Sequence, residues 1–247
     1  MRIAVLADVH GNLPALEAVV NEFQVQGIDQ VWHLGDAVGY GAEPFACLQL
    51  MADLETVMIM GNHELATLDP AKAAGFNHLA AEAIDWTRKS LSPDVLAILK
   101  SFPSFLSPFP EVALFHGLPG NINGYLRTAE TAGSVLDYLE RTDPRIRYAF
   151  FGHTHRTMVF TQLVGRPTRM FEPECDLTLA PGRRYLLNPG SVGQPRNGDP
   201  RAQYLIYDQE EGQIRFRQVD YNIQKAQSRI IEADLPPSLA ARLSQGM

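Results

Sequence analysis

The sequence predicts an α/β fold in which two packed β-sheets are flanked by helices, and two patterns along its 247 residues support this. In the first half, short apolar runs alternate with segments of helical periodicity, as expected for strands that are buried on both faces of a sheet. In the second half, apolar and polar residues alternate along short runs, which is typical of strands with one buried face. We expect these later strands to form a sheet of their own.

Three strand-like runs near the N-terminus each end in polar residues. The runs are residues 3–7, 31–34 and 56–60, and the polar residues that follow them include Asp8, Asp36 and Asn62. Strand ends at one edge of an open α/β sheet form a crevice in which ligands bind. We therefore expect the three following loops to converge.

Helical segments separate these strands. Asn12 can cap the first helix, Pro14 suits its first turn, and Gly27 ends it. A second helix is predicted over residues 44–51. Residues 64–100 read as a helical insertion beside the crevice, and because no Gly/Ser-rich linker flanks this insertion we expect residues 1–247 to form a single domain.

The rest of the chain continues with short strands and three helices. Strands are predicted over residues 112–115, 148–151, 158–163, 168–171, 185–188, 203–207 and 214–219, and helices over residues 128–141, 223–232 and 237–244.

Composition places the chain among globular proteins. Hydrophobic residues make up 45% and charged residues 20% of the sequence, which excludes disordered, collagen-like and coiled-coil chains. The net charge of −7 at pH 7 repels polyanions on average, so we expect no non-specific nucleic-acid binding.

Cysteine usage and apolar run length indicate the compartment. Cys47 and Cys175 are far apart in the sequence, so we expect packing roles for them and no disulfide framework. No apolar run approaches the ~18 residues of a membrane span. We therefore expect a soluble, cytoplasmic protein that does not contact membranes.

Histidine placement is the strongest functional signal. Five of the seven histidines directly follow strand-like runs: His10, His63, His116, His153 and His155. The candidate metal ligands at these strand ends are Asp8, His10, Asp36, Asn62, His116, His153 and His155. Seven nitrogen and oxygen ligands are too many for one ion, whereas two ions that share a bridging carboxylate would use them all.

Five sequence blocks resemble those of the calcineurin-like metallophosphoesterase superfamily, in the same order. The blocks are Asp8-Val9-His10-Gly11-Asn12, Gly35-Asp36-Ala37-Val38-Gly39, Gly61-Asn62-His63-Glu64, His116-Gly117 and Gly152-His153-Thr154-His155. Residues 188–193 resemble the closing strand and loop of the small bacterial branch. The resemblance implies a four-layer sandwich of two mixed β-sheets flanked by helices, with a helical insertion near the active site.

The resemblance also implies a dinuclear centre. It assigns Asp8, His10, Asp36 and His155 to one divalent ion, and Asp36, Asn62, His116 and His153 to the other. Asp36 would bridge the ions, and a hydroxide held between them would attack phosphorus in line. His63 would be the general acid for the leaving oxygen or a partner of the phosphoryl oxygens. Nitrogen and oxygen ligation suits manganese, iron, zinc, nickel or cobalt.

Residues in and near the blocks include candidates for substrate binding and two positions that differ from the pattern of the superfamily. Tyr40, Arg127 and Arg196 are candidates for substrate binding, the arginines because guanidinium groups bind phosphate. Gly39 stands where many members carry Asp, and Glu64, which directly follows His63, stands where others have Asp without being a ligand. His33 could support Asp36 or could simply be a packed imidazole.

The expected activity is hydrolysis of small phosphodiesters or nucleotides. Dinucleoside polyphosphates and phosphorylated serine or threonine residues of proteins are alternative substrates, because enzymes for all of these share the metal core. A non-catalytic scaffold of the same fold is a remote alternative, since every ligand position is filled here. The oligomeric state is left open by the sequence.

Overall fold

A computed structural model describes residues 1–163, 165–173 and 176–247. The helices are α1 (Leu13–Gln26), α2 (Pro44–Asp53), α3 (Asn62–Leu68), α4 (His78–Ser90), α5 (Pro93–Lys100), α6 (Ala129–Thr142), α7 (Ile223–Glu232) and α8 (Pro237–Ala241), with 3₁₀ turns at Pro70–Gly75 and Arg242–Gln245. The strands are β1 (Arg2–Leu6), β2 (Gln30–His33), β3 (Val57–Met58), β4 (Phe105–Leu106), β5 (Val112–Phe115), β6 (Tyr148–Phe151), β7 (Thr157–Leu163), β8 (Arg169–Phe171), β9 (Leu177–Thr178), β10 (Arg183–Pro189), β11 (Ala202–Asp208) and β12 (Gln213–Val219).

Within the described residues, the strands form two six-stranded sheets. The first has the order β3-β2-β1-β11-β12-β9, and the second has the order β4-β5-β6-β10-β7-β8. Strands β1, β2 and β3 are parallel, as are β5, β6 and β10, and the remaining pairs are antiparallel. Both sheets are therefore mixed, as expected.

The expectation that the later strands form a sheet of their own is wrong. Strand β11 pairs antiparallel with β1, with Ile3 opposite Tyr207, and β12 and β9 follow it in the first sheet. All seven residues of β11 are buried, so it is a central strand that separates β1 from the edge. Alternation along a strand predicts which of its faces is buried but not which strand lies beside it.

Helices cover the outer face of each sheet, which gives four layers. Between the sheets, Trp32 of β2 contacts Phe150 of β6, with ring centroids 5.8 Å apart, and Phe150 contacts Tyr207 of β11 at 5.5 Å. Helices α1, α2 and α5 pack on the first sheet, and α6 packs on the second. The C-terminal helices α7 and α8 pack with α4 in a separate cluster.

Several local predictions agree with this arrangement. Asn12 caps α1, and Gly27 ends it in the left-handed conformation. Cys47 is buried in the core, whereas Cys175 lies outside the described residues. Strand β3 is shorter than predicted, because the N–H of Met60 turns away to donate to Pro103. No helix of the described residues has the length and apolar character that crossing a membrane requires.

Candidate active site

The seven predicted metal ligands meet at the C-terminal ends of the parallel strands. Asp8 and His10 follow β1, Asp36 follows β2, Asn62 begins α3 after β3, His116 follows β5, and His153 and His155 follow β6. Each of these side chains is at most 6% exposed. The expected convergence of loops is therefore present, and it includes two strands of the second sheet.

The backbone is strained at most of these positions. Asp8, His10, Asp36, His153 and His155 have positive φ angles between 51° and 69°. For residues other than glycine this conformation is uncommon and costs roughly 1–3 kcal/mol, so it persists only where surrounding contacts enforce it. Main-chain hydrogen bonds enforce it here, including that from the His10 N–H to the Asp36 carbonyl oxygen at 2.9 Å.

His10 and His155 point unshared electron pairs at each other. Nδ1 of His10 donates to the Val38 carbonyl oxygen over 3.0 Å, and Nδ1 of His155 donates to the Gln194 carbonyl oxygen over 2.6 Å. Burial lowers the pKa of both histidines far below the usual value, so both are neutral and their Nε2 atoms carry no proton. These two Nε2 atoms are 3.1 Å apart.

A cation near both Nε2 atoms would remove this repulsion and fit the donor set. Asp8 completes the group, with Oδ1 3.8 Å from Nε2 of His155, and the three ligand atoms lie close enough to hold one metal ion. The pKa of the Asp8 carboxyl is raised to about 8 by burial and by the nearby charge of Asp36. Nearby positive charge would favour its ionised form.

Asp36, His116 and His153 form a second group that could hold a metal ion. Nε2 of His116 is 3.2 Å from Oδ2 of Asp36 and 2.9 Å from Oδ1 of Asn62. Burial opposes protonation of His116, but the charge of Asp36 outweighs it and raises the pKa of His116 to about 9. A metal ion binding there would displace this proton.

His153 offers an unused nitrogen to the second group. Its Nε2 is buried and has no hydrogen-bond partner among the described residues. Burial, followed by the charge of His116, lowers the pKa of His153 to about 3. The neutral ring therefore has a free electron pair directed into the protein, which is the state in which histidine binds metals.

Asp36 lies between the two groups. Its Oδ2 is 3.7 Å from Nε2 of His10 and 3.2 Å from Nε2 of His116, while its Oδ1 accepts the His63 N–H at 2.8 Å. Burial alone would raise the pKa of Asp36, but the positive charge of His116 holds it well below its usual range. An ionised carboxylate in this position can contact ions on both sides.

His63 is positioned by ring packing. Its ring centroid is 4.6 Å from those of His10 and Tyr40 and 5.1 Å from that of Phe76, and its Nε2 is 4.0 Å from Asp36 Oδ2. Burial lowers the pKa of His63 to about 4. A Cβ atom at Gly39 would lie 2.1 Å from Nδ1 of His63, so the ring occupies the space that an Asp side chain would need.

Glu64 is a structural residue whose importance sequence reasoning missed. Its carboxylate is fully buried and accepts main-chain N–H groups of Asp36 at 2.8 Å, Gly61 at 2.8 Å and Val38 at 3.1 Å. It therefore ties the loop after β2 to the start of α3. Its place at the third position of a helix, where Glu commonly accepts from the N-cap N–H, is the sequence signal that could have revealed it.

Residues 188–194 support the same loops from the second sheet. Asn188 Nδ2 donates to the Gly152 carbonyl oxygen at 2.9 Å, and Ser191 Oγ donates to the Asp8 carbonyl oxygen at 2.8 Å. The N–H of Gly193 also donates to Asp8. The segment resembling the closing strand and loop thus holds ligand-bearing loops after both β1 and β6.

An open cleft of about 410 Å³ leads to the cluster. Among its lining residues are Tyr40, His63, Phe76, Tyr125 and Arg196. Tyr40 and Arg196, both predicted to bind substrate, therefore face the site. Phe76 belongs to the predicted helical insertion, which lies beside the cleft as expected.

Arg127 occupies a different position from the other predicted substrate contacts. Its guanidinium carbon lies 3.9 Å from the ring centroid of Tyr125, and the Tyr125 ring stacks on that of His153 at 4.2 Å. Arg127 is exposed and is not among the described residues that line the cleft. Tyr125, which sequence reasoning missed, lies between Arg127 and the cluster and has no periodic signal that could have identified it.

Known proteins resemble this chain over its full length. The family model described as "Calcineurin-like phosphoesterase superfamily domain" matches residues 1–212. The uncharacterized protein MJ0912 of Methanocaldococcus jannaschii is 34% identical over 249 residues, covering 99% of this chain and 98% of that protein.

Two solved structures share the fold. A metallophosphoesterase from Sphaerobacter thermophilus has a TM-score of 0.84 at 34% identity, covering 100% of this chain and 99% of that one. The hypothetical protein PH1004 from Pyrococcus horikoshii OT3 has a TM-score of 0.81 at 18% identity, covering 100% and 98%. The family match, which extends over most of the chain, makes this protein a member of the calcineurin-like phosphoesterase superfamily and thus a metal-dependent phosphoesterase.

Proposed function

We propose that this phosphoesterase hydrolyses small phosphodiesters or nucleotides with two divalent transition-metal ions. One ion would be held by Asp8, His10, Asp36 and His155, and the other by Asp36, Asn62, His116 and His153. The observation that carries the proposal is the 3.1 Å approach of two unprotonated nitrogens, Nε2 of His10 and of His155, beside buried carboxylates. Manganese, iron, zinc, nickel and cobalt all suit this mixture of ligands.

The protein residues orient the reaction around this centre. Bound divalent ions would supply Lewis acidity, which activates water and neutralises charge on the phosphoryl oxygens. Asp36 would fix the spacing of the two ligand sets, because one carboxylate belongs to both. Glu64 would keep Asp36 in place through the three main-chain N–H groups that it accepts. Attack on phosphorus would then proceed in line.

His63 would act on the substrate and not as a ligand, although its position near His10 and Asp36 would also permit metal binding. Its ring faces the cleft, and packing by Tyr40 and Phe76 restricts its rotation. In its neutral form a histidine held in this way can donate an N–H hydrogen bond to a phosphoryl oxygen. It can protonate the leaving oxygen once the negative charge of a bound phosphate favours its protonated form. Tyr40 and Arg196 would contact another part of the substrate.

The size of the cleft favours a small substrate. A volume of about 410 Å³ is within the range of small-molecule sites, and aromatic side chains from the insertion and from the loop after β5 form part of its lining. We accordingly propose that residues 1–247 act as one catalytic domain in which the insertion, residues 64–100, shapes the substrate pocket. Phosphoproteins and dinucleoside polyphosphates are the alternative substrates, and of these a monoester preference in the following assay would favour phosphoproteins.

Metal analysis followed by chelation and add-back tests the proposal. We expect about two ions per chain and hydrolysis of bis-p-nitrophenyl phosphate that is lost on chelation and restored by manganese, nickel, zinc or magnesium. A preference for p-nitrophenyl phosphate would instead indicate a monoesterase. The Asp36→Asn variant should lose turnover, whereas Asp85→Asn, which alters an exposed carboxylate of α4, should not.

Near wild-type turnover by Asp36→Asn, or bound metal without hydrolysis of either ester, would contradict the proposal. The second result would favour the scaffold alternative or another substrate class. Both esters release p-nitrophenolate, so the same absorbance measurement gives the rate of hydrolysis of each.

A further inference from the structure

Arg196 lies beside His155 at one end of the cleft, and neutral groups hold its guanidinium. Its main-chain N–H donates to the His155 carbonyl oxygen over 3.1 Å. Its Nε and Nη2 atoms both donate to Oε1 of Gln194, over 3.3 and 2.8 Å, and Gln194 is buried. An amide carries no net charge, so this contact orients the guanidinium without neutralising it.

Tyr40 completes this end of the cleft. Its hydroxyl is 3.5 Å from Nη2 of Arg196, and its ring centroid is 5.9 Å from the guanidinium carbon. The φ angle of Tyr40 is +57°, which is uncommon for a bulky residue. Because the same ring packs against His10 and His63 at 4.6 Å, the hydroxyl and the metal-ligand cluster are held in a fixed relation.

A second guanidinium lies near the same tyrosine. The guanidinium carbon of Arg242 is 5.5 Å from the Tyr40 ring centroid, and its Nε donates to the main-chain oxygen of Met247 over 2.8 Å. In the described part of the chain, neither arginine forms an ion pair with an Asp or Glu side chain; their partners are amide, phenol and main-chain groups. Burial and the charge of Arg196 lower the pKa of Arg242.

Positive charge is therefore concentrated at this cleft although the chain as a whole carries −7. Lys72 also lines the cleft, and the carboxylate among the described lining residues is Asp36, which belongs to the proposed metal ligands. The guanidinium carbons of Arg196 and Arg242 lie 5.9 and 5.5 Å from the same Tyr40 ring centroid, and their like charges repel each other unless an anion lies beside them. An anionic ligand would therefore complement the charge at this end of the cleft.

We propose that Arg196 and Tyr40 form an anion subsite, and that the substrate is a phosphoester carrying a second phosphate group. This inference deepens the proposed function and rests on it. The reacting phosphate binds over the His/Asp cluster, while the second phosphate accepts from Arg196 and from the Tyr40 hydroxyl. Nη1 of Arg196 makes no hydrogen bond with the described residues, so its two protons are available to the ligand.

Geometry and chemistry both favour a phosphate at this position. A guanidinium binds phosphate through charge-assisted hydrogen bonds, and Gln194, which accepts from Nε and Nη2 of Arg196, fixes the plane of the group and leaves Nη1 for the ligand. The cleft volume of about 410 Å³ also exceeds the space that one phosphate group needs. Arg242 adds positive charge behind Tyr40 and is not among the lining residues, so it strengthens the subsite without touching the ligand.

A pair of matched esters tests the subsite. Both are p-nitrophenyl phosphodiesters of propane-1,3-diol; one has a free terminal hydroxyl and the other a terminal phosphate. We expect wild-type kcat/KM to be about tenfold or more higher for the phosphate-terminated ester, because hydrogen bonds between charged groups are worth that much. In Arg196→Gln this ratio should fall close to one, and in Arg196→Lys it should be partly retained.

The ratio is measured within each variant, so changes in metal content or folded fraction cancel. Arg141→Gln, which removes an exposed positive charge from α6, is the matched control and should keep the wild-type ratio. Equal kcat/KM for the two esters in the wild type, or a preference that Arg196→Gln leaves unchanged, would overturn the subsite while leaving phosphodiester hydrolysis intact.

Binding separates this proposal from the proposed reaction. We expect propane-1,3-diol bisphosphate to bind the wild type about tenfold more tightly than the monophosphate by titration calorimetry, and Arg196→Gln to lose this difference. If the bisphosphate preference depends on Arg196 while neither ester is hydrolysed, the subsite is supported and the reaction is contradicted. Equal affinities for the two ligands in the wild type overturn the subsite.

Discussion

His63 is held by packing and not by a hydrogen bond to its ring. Its Nδ1 is buried and has no hydrogen-bond partner among the described residues. Rings of His10, Tyr40 and Phe76 pack around it, and Gly39 leaves the space that its ring fills. An imidazole held by packing keeps its orientation without a dedicated acceptor. The role of His63 in catalysis therefore depends on whether its ring contacts the leaving oxygen or a phosphoryl oxygen of the substrate.

Replacing His63 should reveal which oxygen that is. We expect His63→Ala to lower kcat on bis-p-nitrophenyl phosphate by about 100-fold or more, since a positioned proton donor typically contributes 10²–10⁴-fold. If His63 protonates the leaving oxygen, the loss should be larger for diphenyl phosphate, because phenolate is a poorer leaving group than p-nitrophenolate and depends more on protonation. Steady-state assays of both esters measure this.

The outcome assigns the role of His63. Equal losses on the two esters would place its hydrogen bond on a phosphoryl oxygen, and near wild-type activity would exclude a part in catalysis. His78→Gln, which changes the exposed histidine of α4, is the matched control and should leave both rates unchanged.

The buried imidazole of His33 lowers the stability of the fold. It is completely buried, and neither ring nitrogen has a hydrogen-bond partner among the described residues. Unpaired buried polar groups destabilise by roughly 1–3 kcal/mol. Of the two roles considered from sequence, the packed imidazole is the one that these contacts favour.

We therefore expect His33→Leu to raise the free energy of unfolding, and to do so more strongly in acid. Burial lowers the pKa of His33 to about 3, so between pH 6.5 and 3 the unfolded chain binds a proton that the folded chain does not. As the pH is lowered through this range, protonation of His33 in the unfolded chain lowers the free energy of unfolding by up to about 1.4 kcal/mol per pH unit. Urea unfolding of the wild type and of His33→Leu, with chelator present, at pH 7.5 and 5.0 tests this. If the two proteins differ in free energy of unfolding by the same amount at both pH values, the prediction is contradicted.

At the scale of elements, Glu64 links two loops through the first turn of α3. Its carboxylate accepts three main-chain N–H groups, two from the loop after β2 and one from the residue before α3. These are the segments that carry Asp36 and Asn62. The relative position of two proposed ligands therefore depends on a side chain that touches neither a metal nor a substrate.

Glu64→Ala should weaken both the fold and metal binding. Leaving three buried N–H groups unpaired should lower the free energy of unfolding by about 3 kcal/mol or more. Urea unfolding with chelator present measures that loss, and competition with a chromophoric chelator measures metal affinity. Glu82→Gln, on the exposed side of α4, is the control, and a Glu64→Ala protein with unchanged metal affinity would refute the linking role.

How far the sequence predicted these elements depended on the range of the interactions involved. Strands that end in a polar residue reveal themselves locally, so the positions of Asp8, Asp36 and His153 at strand ends could be predicted. The two-residue strands β4 and β9 are too short to show a period. The pairing of β11 with β1 and the stacking of Tyr125 on His153 join distant segments, and periodicity carries no information about such partners.

At the scale of the whole molecule, the buried charge of the cluster couples metal binding to stability. Two carboxylates and four histidines meet with their side chains almost entirely buried, and the backbone beneath them is strained. Cations that bind the folded state alone stabilise it by about 2.7 kcal/mol at 100 times the dissociation constant.

We expect saturating manganese to raise the melting temperature of the chelated protein by about 5 °C or more, given the size of the chain. Differential scanning fluorimetry measures the shift. Asp36→Asn should show a much smaller one, because a shared ligand has been altered. Identical melting curves with and without manganese would contradict binding to this cluster.

The central position of β11 also determines when the site can form during folding. Residues 191–194 follow β10 and lead to β11, and their hydrogen bonds hold the Asp8 loop and His155. Closing the first sheet joins β1 to a strand that begins about 200 residues later, and contacts so distant in sequence form slowly. A chain in which β11 has not yet paired with β1 lacks a fixed position for this segment, so we expect the metal-binding cluster to be completed late in folding.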